Sequence, residues 1–292
     1  MRNTNTCSIR KTEYEGHLAR CMRKGYGVKG RDKMEHNEQR VWMIKELLSE
    51  EEDYRGYQIP KEEQEQKNLL RALMNVRPPR RISKAFLDIQ DQYLTEENRN
   101  AGITDVESLS PCPSDNRLFI WQGDITTIKT DAIVNAANSG MTGCYRALHN
   151  CIDNCIHSRA GIQLRLKCND IIRQQGHEEP TGQAKITPAY NLPCKYVLHT
   201  VGPIVDGRLT QRHCDLLASC YRSCLELAEE NNLHSIAFCC ISTGVFMFPK
   251  DKAAEIAVQT VKDYLDTHSG MEKVVFNVFN DSDRKIYESI LC

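Results

Sequence analysis

From residue 117 onward the chain alternates short, continuously apolar β-rich runs with amphipathic helical stretches. That alternation limits the available folds more than any other feature. The apolar runs are "RLFIWQ", "DAIVNAA", "AKITPAY", "YVLHTVG", "SIAFCCIS" and "KVVFNVF", and helices are predicted over residues 152–174, 210–231, 250–268 and 282–290. Strands that are apolar throughout must be covered on both faces, and helices placed between them supply the cover while forcing parallel crossovers. The reading is α/β: a three-layer α/β/α domain over residues 117–292, with a mostly parallel central sheet.

Upstream the pattern differs. In "HNEQRVWMIKELLSEEE", Val41, Ile44, Leu47 and Leu48 recur at helical spacing; a second helix follows in "IPKEEQEQKNLLRALM", with Pro60 in its first turn, and a third in "ISKAFLDIQDQYL". Residues 36–98 are therefore expected to form a small helical N-terminal extension, joined by a linker over 99–116. The basic cluster "RPPRR" between the second and third helices reads as a solvated turn. Residues 1–35, rich in Lys and Arg and without an apolar period, are expected to be a flexible basic tail, with Met34 as an alternative start.

Composition narrows the function classes. Among 292 residues, Lys and Arg number 38 and Asp and Glu 39, so the net charge of −1 gives no overall field for nucleic acid or an anionic membrane. An anion must be held locally. No run approaches the roughly 18 apolar residues of a membrane span, and "MRNTNTCSIRKTEYEGH" lacks the apolar core of a signal peptide, so a cytoplasmic location is expected. There the 14 cysteines stay reduced and serve as core residues, metal ligands or nucleophiles. Cys220 and Cys224 at helical spacing, and Cys239 and Cys240 in an apolar run, read as core.

Ligands of open α/β sheets lie outside the carboxyl ends of the strands, so the residues after each strand locate the site. They are "GDIT", "NAANSGMTGC", "TVGP" and "STGVFMFP", all small or amide-bearing. "STGVF" is the best phosphate cradle, because Gly244 lets the backbone approach an anion and the turn N–H groups can donate to it; an ordinary glycine turn is the other reading. Neither a G-K-[ST] loop nor a G-x-G-x-x-G string is present. Asp124 suits either an N-cap or a carboxylate accepting from the exocyclic amine of a base; Asn135 and Asn138 suit turn geometry or sugar hydroxyls.

The loop "GCYRALHNCIDNCIHSRAG" holds Cys144, His149 and Cys151 at C-x4-H-x-C spacing. Three such donors can bind zinc and leave a fourth position for water or substrate, the arrangement of a catalytic site. Two other readings stand beside it: Cys144 as a nucleophile with His149 as its base, or three inert side chains. A rival trio is Cys151, Cys155 and His157. There Cys155 is expected to be buried against the sheet and His157 to be a hydrogen-bonded helix residue.

Taken in order, "QGDIT", "DAIVNAAN", "CIDNCIHSRAG", "TGQAKITPAYNLPCKYVLHTVGPI" and "ISTGVF" resemble a macrodomain, the ADP-ribose-binding α/β/α module, over about residues 117–290. "GCYRALHNCIDN" resembles the insertion of the zinc-dependent branch, whose members are protein-ADP-ribose hydrolases, and "LLRALMNVRPP" resembles that branch's N-terminal extension. The resemblance implies that Asp124 and Ile125 contact adenine, Asn138 the distal ribose, and Ser242, Thr243, Gly244, Val245 and Phe246 the diphosphate. It implies Zn2+ on Cys144, His149 and Cys151, with Asp153 near the scissile bond and Asn138 beside it as the catalytic pair. Met247 departs from the glycine of related phosphate loops. The implied activity is removal of mono-ADP-ribose from Asp or Glu side chains of proteins by a monomeric enzyme paired with a sirtuin-type ADP-ribosyltransferase. A non-catalytic ADP-ribose reader and an O-acetyl-ADP-ribose deacetylase are the alternatives.

Overall fold

The computed structural model describes residues 34–292. The tail expected over 1–35 lies outside the described residues except for its last two. Residues His36–Cys292 form one compact unit.

Six strands make the central sheet: β2 (Leu118–Gln122), β4 (Ala132–Ala137), β5 (Ala184–Pro188), β6 (Tyr196–Val201), β7 (Ser235–Phe238) and β8 (Lys273–Val278). Their order is β2-β8-β7-β4-β6-β5, parallel throughout except for β5, which runs antiparallel to β6 at the edge. In register, Ile133 of β4 lies between Val197 of β6 and Ala237 of β7. Ile133, Val134, Leu198, Ile236, Val274 and Val275 are fully buried, as strands covered on both faces require. Each such side chain contributes about 1.5–3 kcal/mol by leaving water. A mostly parallel α/β sheet, as expected, is what the chain builds.

The covering helices of the sheet domain are α4 (Ile152–Ala160), α5 (Ile162–Gln175), α6 (Gln211–Glu230), α7 (Lys250–Leu265) and α8 (Asp281–Leu291). The single helix expected over 152–174 is two helices. Gly161 breaks it at φ 100°, ψ 175°, serving as C-cap of α4 and N-cap of α5. Upstream, α1 (His36–Ser49), α2 (Glu63–Val76) and α3 (Lys84–Asn100) form the extension. Pro60 is not in the first turn of α2; it precedes the helix and its carbonyl accepts from Gln66 Nε2 at 2.8 Å. Helix α3 runs beyond the expected end to Asn100 and begins on a Ser83 cap that accepts from Phe86 N.

Past α3, Thr104–Asp105 forms β1, which pairs in parallel with β3 (Ile128–Lys129), and Val106 is buried. The extension has its own apolar cluster of Met43, Ile44, Leu47, Leu70, Leu73, Phe86 and Tyr93, joined by Ile162 from α5. Polar contacts stitch it to the sheet domain: Gln90 Oε1 accepts from Ile162 N at 3.0 Å, and Asn98 Nδ2 donates to the Asn191 carbonyl at 2.7 Å. The "RPPRR" turn is not simply solvated. Arg77 is buried and forks onto both oxygens of Glu50 at 2.6 and 2.8 Å, while its remaining N–H groups cap the Arg80 and Arg81 carbonyls. Cys220, Cys224 and Cys239 are buried core residues, as expected. Among the described residues no helix is long and apolar enough to cross a membrane.

Candidate functional site

Three loops leave the carboxyl ends of the strands next to one another, and each does something different. Asn135 within β4 and Asn138 just past its end meet Asp153 of α4. Asn135 Nδ2 donates to Asp153 Oδ1 at 2.9 Å and Asn138 Nδ2 to Oδ2 at 3.2 Å, so both carboxylate oxygens are held by amides. Asn138 also donates to the Gly143 carbonyl and accepts from Gly140 N through Oδ1. One lone pair of that Oδ1 remains for a ligand hydroxyl. Asp153 is 4% exposed, and burial, opposed by Asn135, the Arg165 guanidinium and Asn138, pushes its carboxyl up to about 6. Behind it His199 is fully buried and lowered to about 3 by that burial, leaving a neutral ring that contacts Asn135 through Nδ1 and Thr187 Oγ1 through Nε2.

The long loop from Met141 to Cys151 carries the three metal-type donors. Cys144 Sγ, a nitrogen of His149 and Cys151 Sγ all lie within 4.8 Å of one another, and the Cys144 Sγ to His149 Nδ1 separation is 3.5 Å. Bond lengths of about 2.3 Å to sulfur and 2.0–2.1 Å to nitrogen in a tetrahedron put a sulfur and a nitrogen about 3.5 Å apart. Two thiols and one imidazole are also the donor chemistry that suits zinc. The residues present therefore fit that ion. The same 3.5 Å would serve a thiol–imidazole pair, but convergence of the second thiol is what a shared cation, and not a lone nucleophile, calls for. Burial pushes the Cys151 thiol up to about 12, so its thiolate calls for a cation beside it.

Cys151 doubles as the N-cap of α4, its Sγ accepting from Asn154 N at 3.4 Å, and Asn154 Nδ2 donates to Cys144 Sγ at 3.2 Å. The loop is bent hard. Met141, Tyr145 and Leu148 all have left-handed backbone, φ 57°, 51° and 56°. Each costs on the order of 1–3 kcal/mol and persists only where surrounding contacts impose it.

The rival trio is not assembled. Cys155 is half-buried and does not pack on the sheet as expected; its Sγ sits 3.8 Å from Arg71 Nη2 of α2. His157 is buried, but neither ring nitrogen makes a hydrogen bond, and Nε2 lies 3.5 Å from Asp153 Oδ1. Burial, then the Arg165 guanidinium, holds it well below the usual histidine range.

After β7 comes Ser242-Thr243-Gly244-Val245-Phe246. The backbone N–H groups of Gly244, Val245 and Phe246 make no backbone hydrogen bond among the described residues, which is what an anion-binding nest needs. Ser242 is at φ 65° with its Oγ buried and without a partner. Gly202, after β6, faces it, and a Cβ there would strike Ser242 Oγ. Val245 and Met247 stand exposed beside the nest.

Asp124 does cap: Oδ1 accepts from Thr126 N at 3.0 Å, while Oδ2 lies 3.7 Å from Arg159 and stays open to a ligand amine. The Ile125 side chain is 1% exposed and sits in the sheet core, so a ligand can meet only its backbone. One residue escaped the sequence reading. Phe279, placed there at the end of a strand, follows β8 with its ring 77% exposed. Gly123 N donates to the Val278 carbonyl, so this ring stands next to the Asp124 loop. An exposed aromatic directly beyond a strand's carboxyl end was the signal.

Residues 134–257 match the Macro domain family. A protein-ADP-ribose hydrolase of Treponema medium is 59% identical over 260 residues, covering 88% of this chain and all of that protein. A protein-ADP-ribose hydrolase of Staphylococcus aureus (strain MSSA476) is 51% identical over 248 residues, 85% of this chain and 92% of the relative. Among solved structures, a Trypanosoma brucei macrodomain in complex with ADP-ribose is similar at TM-score 0.60 and 32% identity, over 73% of this chain and 92% of that one.

Proposed function

The chain belongs to the macrodomain family, and on that premise we propose that it is a zinc-dependent protein-ADP-ribose hydrolase acting on mono-ADP-ribosylated proteins. The observation that carries the reading is the convergence of the Cys144, His149 and Cys151 donors next to the Asn138–Asp153 pair. Asn138 Nδ2 bonds both Asp153 and the carbonyl of Gly143, the residue before Cys144, so the sugar-contacting amide and the metal loop share one brace.

ADP-ribose is held along the strand ends. Asp124 accepts from the adenine amine while Phe279 gives its face to the base. The Gly244–Phe246 amides receive the diphosphate, and Oδ1 of Asn138 accepts a hydroxyl of the distal ribose. Cys144, His149 and Cys151 would hold Zn2+ beside that ribose. A bound zinc with an open position supplies Lewis acidity, or a polarised water, at the anomeric linkage. Asp153 is buried with both oxygens held by amides, so it acts on the sugar by fixing the Asn138 amide. The choice of Asp and Glu linkages rests on the likeness to the zinc branch, as does pairing with a sirtuin-type ADP-ribosyltransferase. A reducing, cytoplasmic setting belongs to the same reading, because Cys144 and Cys151 can bind metal only while reduced.

The test is release of ADP-ribose from a protein mono-ADP-ribosylated on acidic side chains, by the parent, by chelator-treated protein and by Cys144→Ser. Loss of release on chelation, restored by added zinc, with ADP-ribose still bound by calorimetry, is the expected result. Release that survives metal removal overturns the zinc reading. Binding without any release by the metal-loaded parent leaves a reader.

A further inference from the structure

The metal loop is not held by the sheet domain alone. Arg71 and Asn75 lie one turn apart on α2, so their side chains share a face, and that face meets the loop at its last bend. Arg71 Nη2 donates to the His149 carbonyl at 2.8 Å and to Asn150 Oδ1 at 3.1 Å. Asn75, 1% exposed, accepts from Leu148 N through Oδ1 at 3.1 Å and donates to Ser158 Oγ of α4 at 2.8 Å. Leu148 is one of the left-handed residues. The backbone on both sides of the 148–149 peptide is thus gripped by α2.

Arg165 of α5 locks α2 in turn. Its buried guanidinium donates to the Met74, Asn75 and Arg77 carbonyls at the C-terminal end of that helix and lies 4.5 Å from the Tyr145 ring of the loop. A strained conformation persists where outside contacts impose it, and these are the contacts.

We propose that Arg71 and Asn75 are positioning residues for the His149 ligand, so that the helical extension is a working part of the metal site. This rests on the zinc reading of Cys144, His149 and Cys151. Removal of a side chain that orients a ligand typically weakens metal binding about 10- to 100-fold without touching the ligands.

The test uses the full chain and its Arg71→Met and Arg71→Lys variants. Zinc affinity is read by competition with a chromogenic chelator, and ligand geometry by the thiolate-to-cobalt and d–d bands of the Co2+-loaded protein. ADP-ribose affinity, read by calorimetry, reports an intact fold. Zinc affinity is expected to fall in the order parent, Arg71→Lys, Arg71→Met, with the last at least about tenfold weaker and its cobalt bands shifted, while ADP-ribose binds as in the parent. Should Arg71→Met lose ADP-ribose binding through misfolding, Arg71→Lys, which keeps the cation but shortens the reach of the donor that Nη2 supplies to the His149 carbonyl, decides alone. A variant that binds ADP-ribose normally and holds zinc with parental affinity and parental bands overturns this inference alone. A parent that takes up no zinc overturns the metal reading with it.

Discussion

Phe279 shows how much one side chain at a strand end can carry. Its ring is largely exposed while the other aromatic side chains among the described residues are mostly covered, and it stands beside the Asp124 loop. Stacking of a base on an aromatic face contributes about 1–3 kcal/mol, so Phe279→Ala should weaken ADP-ribose binding by about 5- to 150-fold, read by calorimetry, while leaving metal content unchanged. Equal affinities would remove the ring from the site. At this scale the sequence was legible where spacing encodes chemistry. Cys144, His149 and Cys151 sit on one loop, and their spacing already suggested that their donor atoms converge, as they do. It was illegible where a role depends on neighbours distant in the chain: nothing in "DNC" announces that Asn135 and Asn138 will take both oxygens of Asp153, or that Ile125 will turn into the core.

Elements were legible through their periods and blurred at their ends. All six strands of the main sheet lie where the sequence placed them; for the inner strands β4, β6, β7 and β8 burial on both faces leaves no choice of residue, while edge strand β5 is buried only at Thr187. The break between α4 and α5 was missed because apolar spacing runs on across Gly161, and the reason for the break is Gln90, some seventy positions earlier in the chain. Gln90 Oε1 caps Ile162 N there, and a side chain at 161 would collide with the Gln90 amide. At φ 100° and ψ 175°, moreover, the backbone is in a region open almost only to glycine. Gly161→Ala should therefore lower unfolding free energy by about 1–3 kcal/mol, seen as a reduced midpoint in urea. An unchanged midpoint would mean that the α4–α5 junction relaxes without loss. The solvated reading of the "RPPRR" turn failed for a related reason: its partner, Glu50, lies just past the end of α1, and charge runs read in isolation look solvated.

At the scale of the whole molecule the question is whether extension and sheet domain unfold together. Composition changes sharply near residue 100, which made two units a natural reading, yet the contacts between them are of a kind that does not tolerate separation. Among the described residues Arg165 finds its hydrogen-bond acceptors on the extension, at the Met74, Asn75 and Arg77 carbonyls, and a buried cation stripped of its partners is among the most costly defects a fold can carry. Ile162 likewise completes the extension's apolar cluster from the other side. The chain has two tryptophans, and they report on the two parts: Trp42 lies in α1 against Phe86, and Trp121 lies in β2. Single-tryptophan variants, Trp121→Phe and Trp42→Phe, should give urea unfolding curves that coincide in midpoint and slope after correction for each variant's own stability by far-UV circular dichroism. A Trp42 transition that precedes loss of the sheet signal would show that the extension detaches first. In that case the grip of α2 on Leu148 and His149 would be lost while the sheet stood, and zinc release would follow the Trp42 curve.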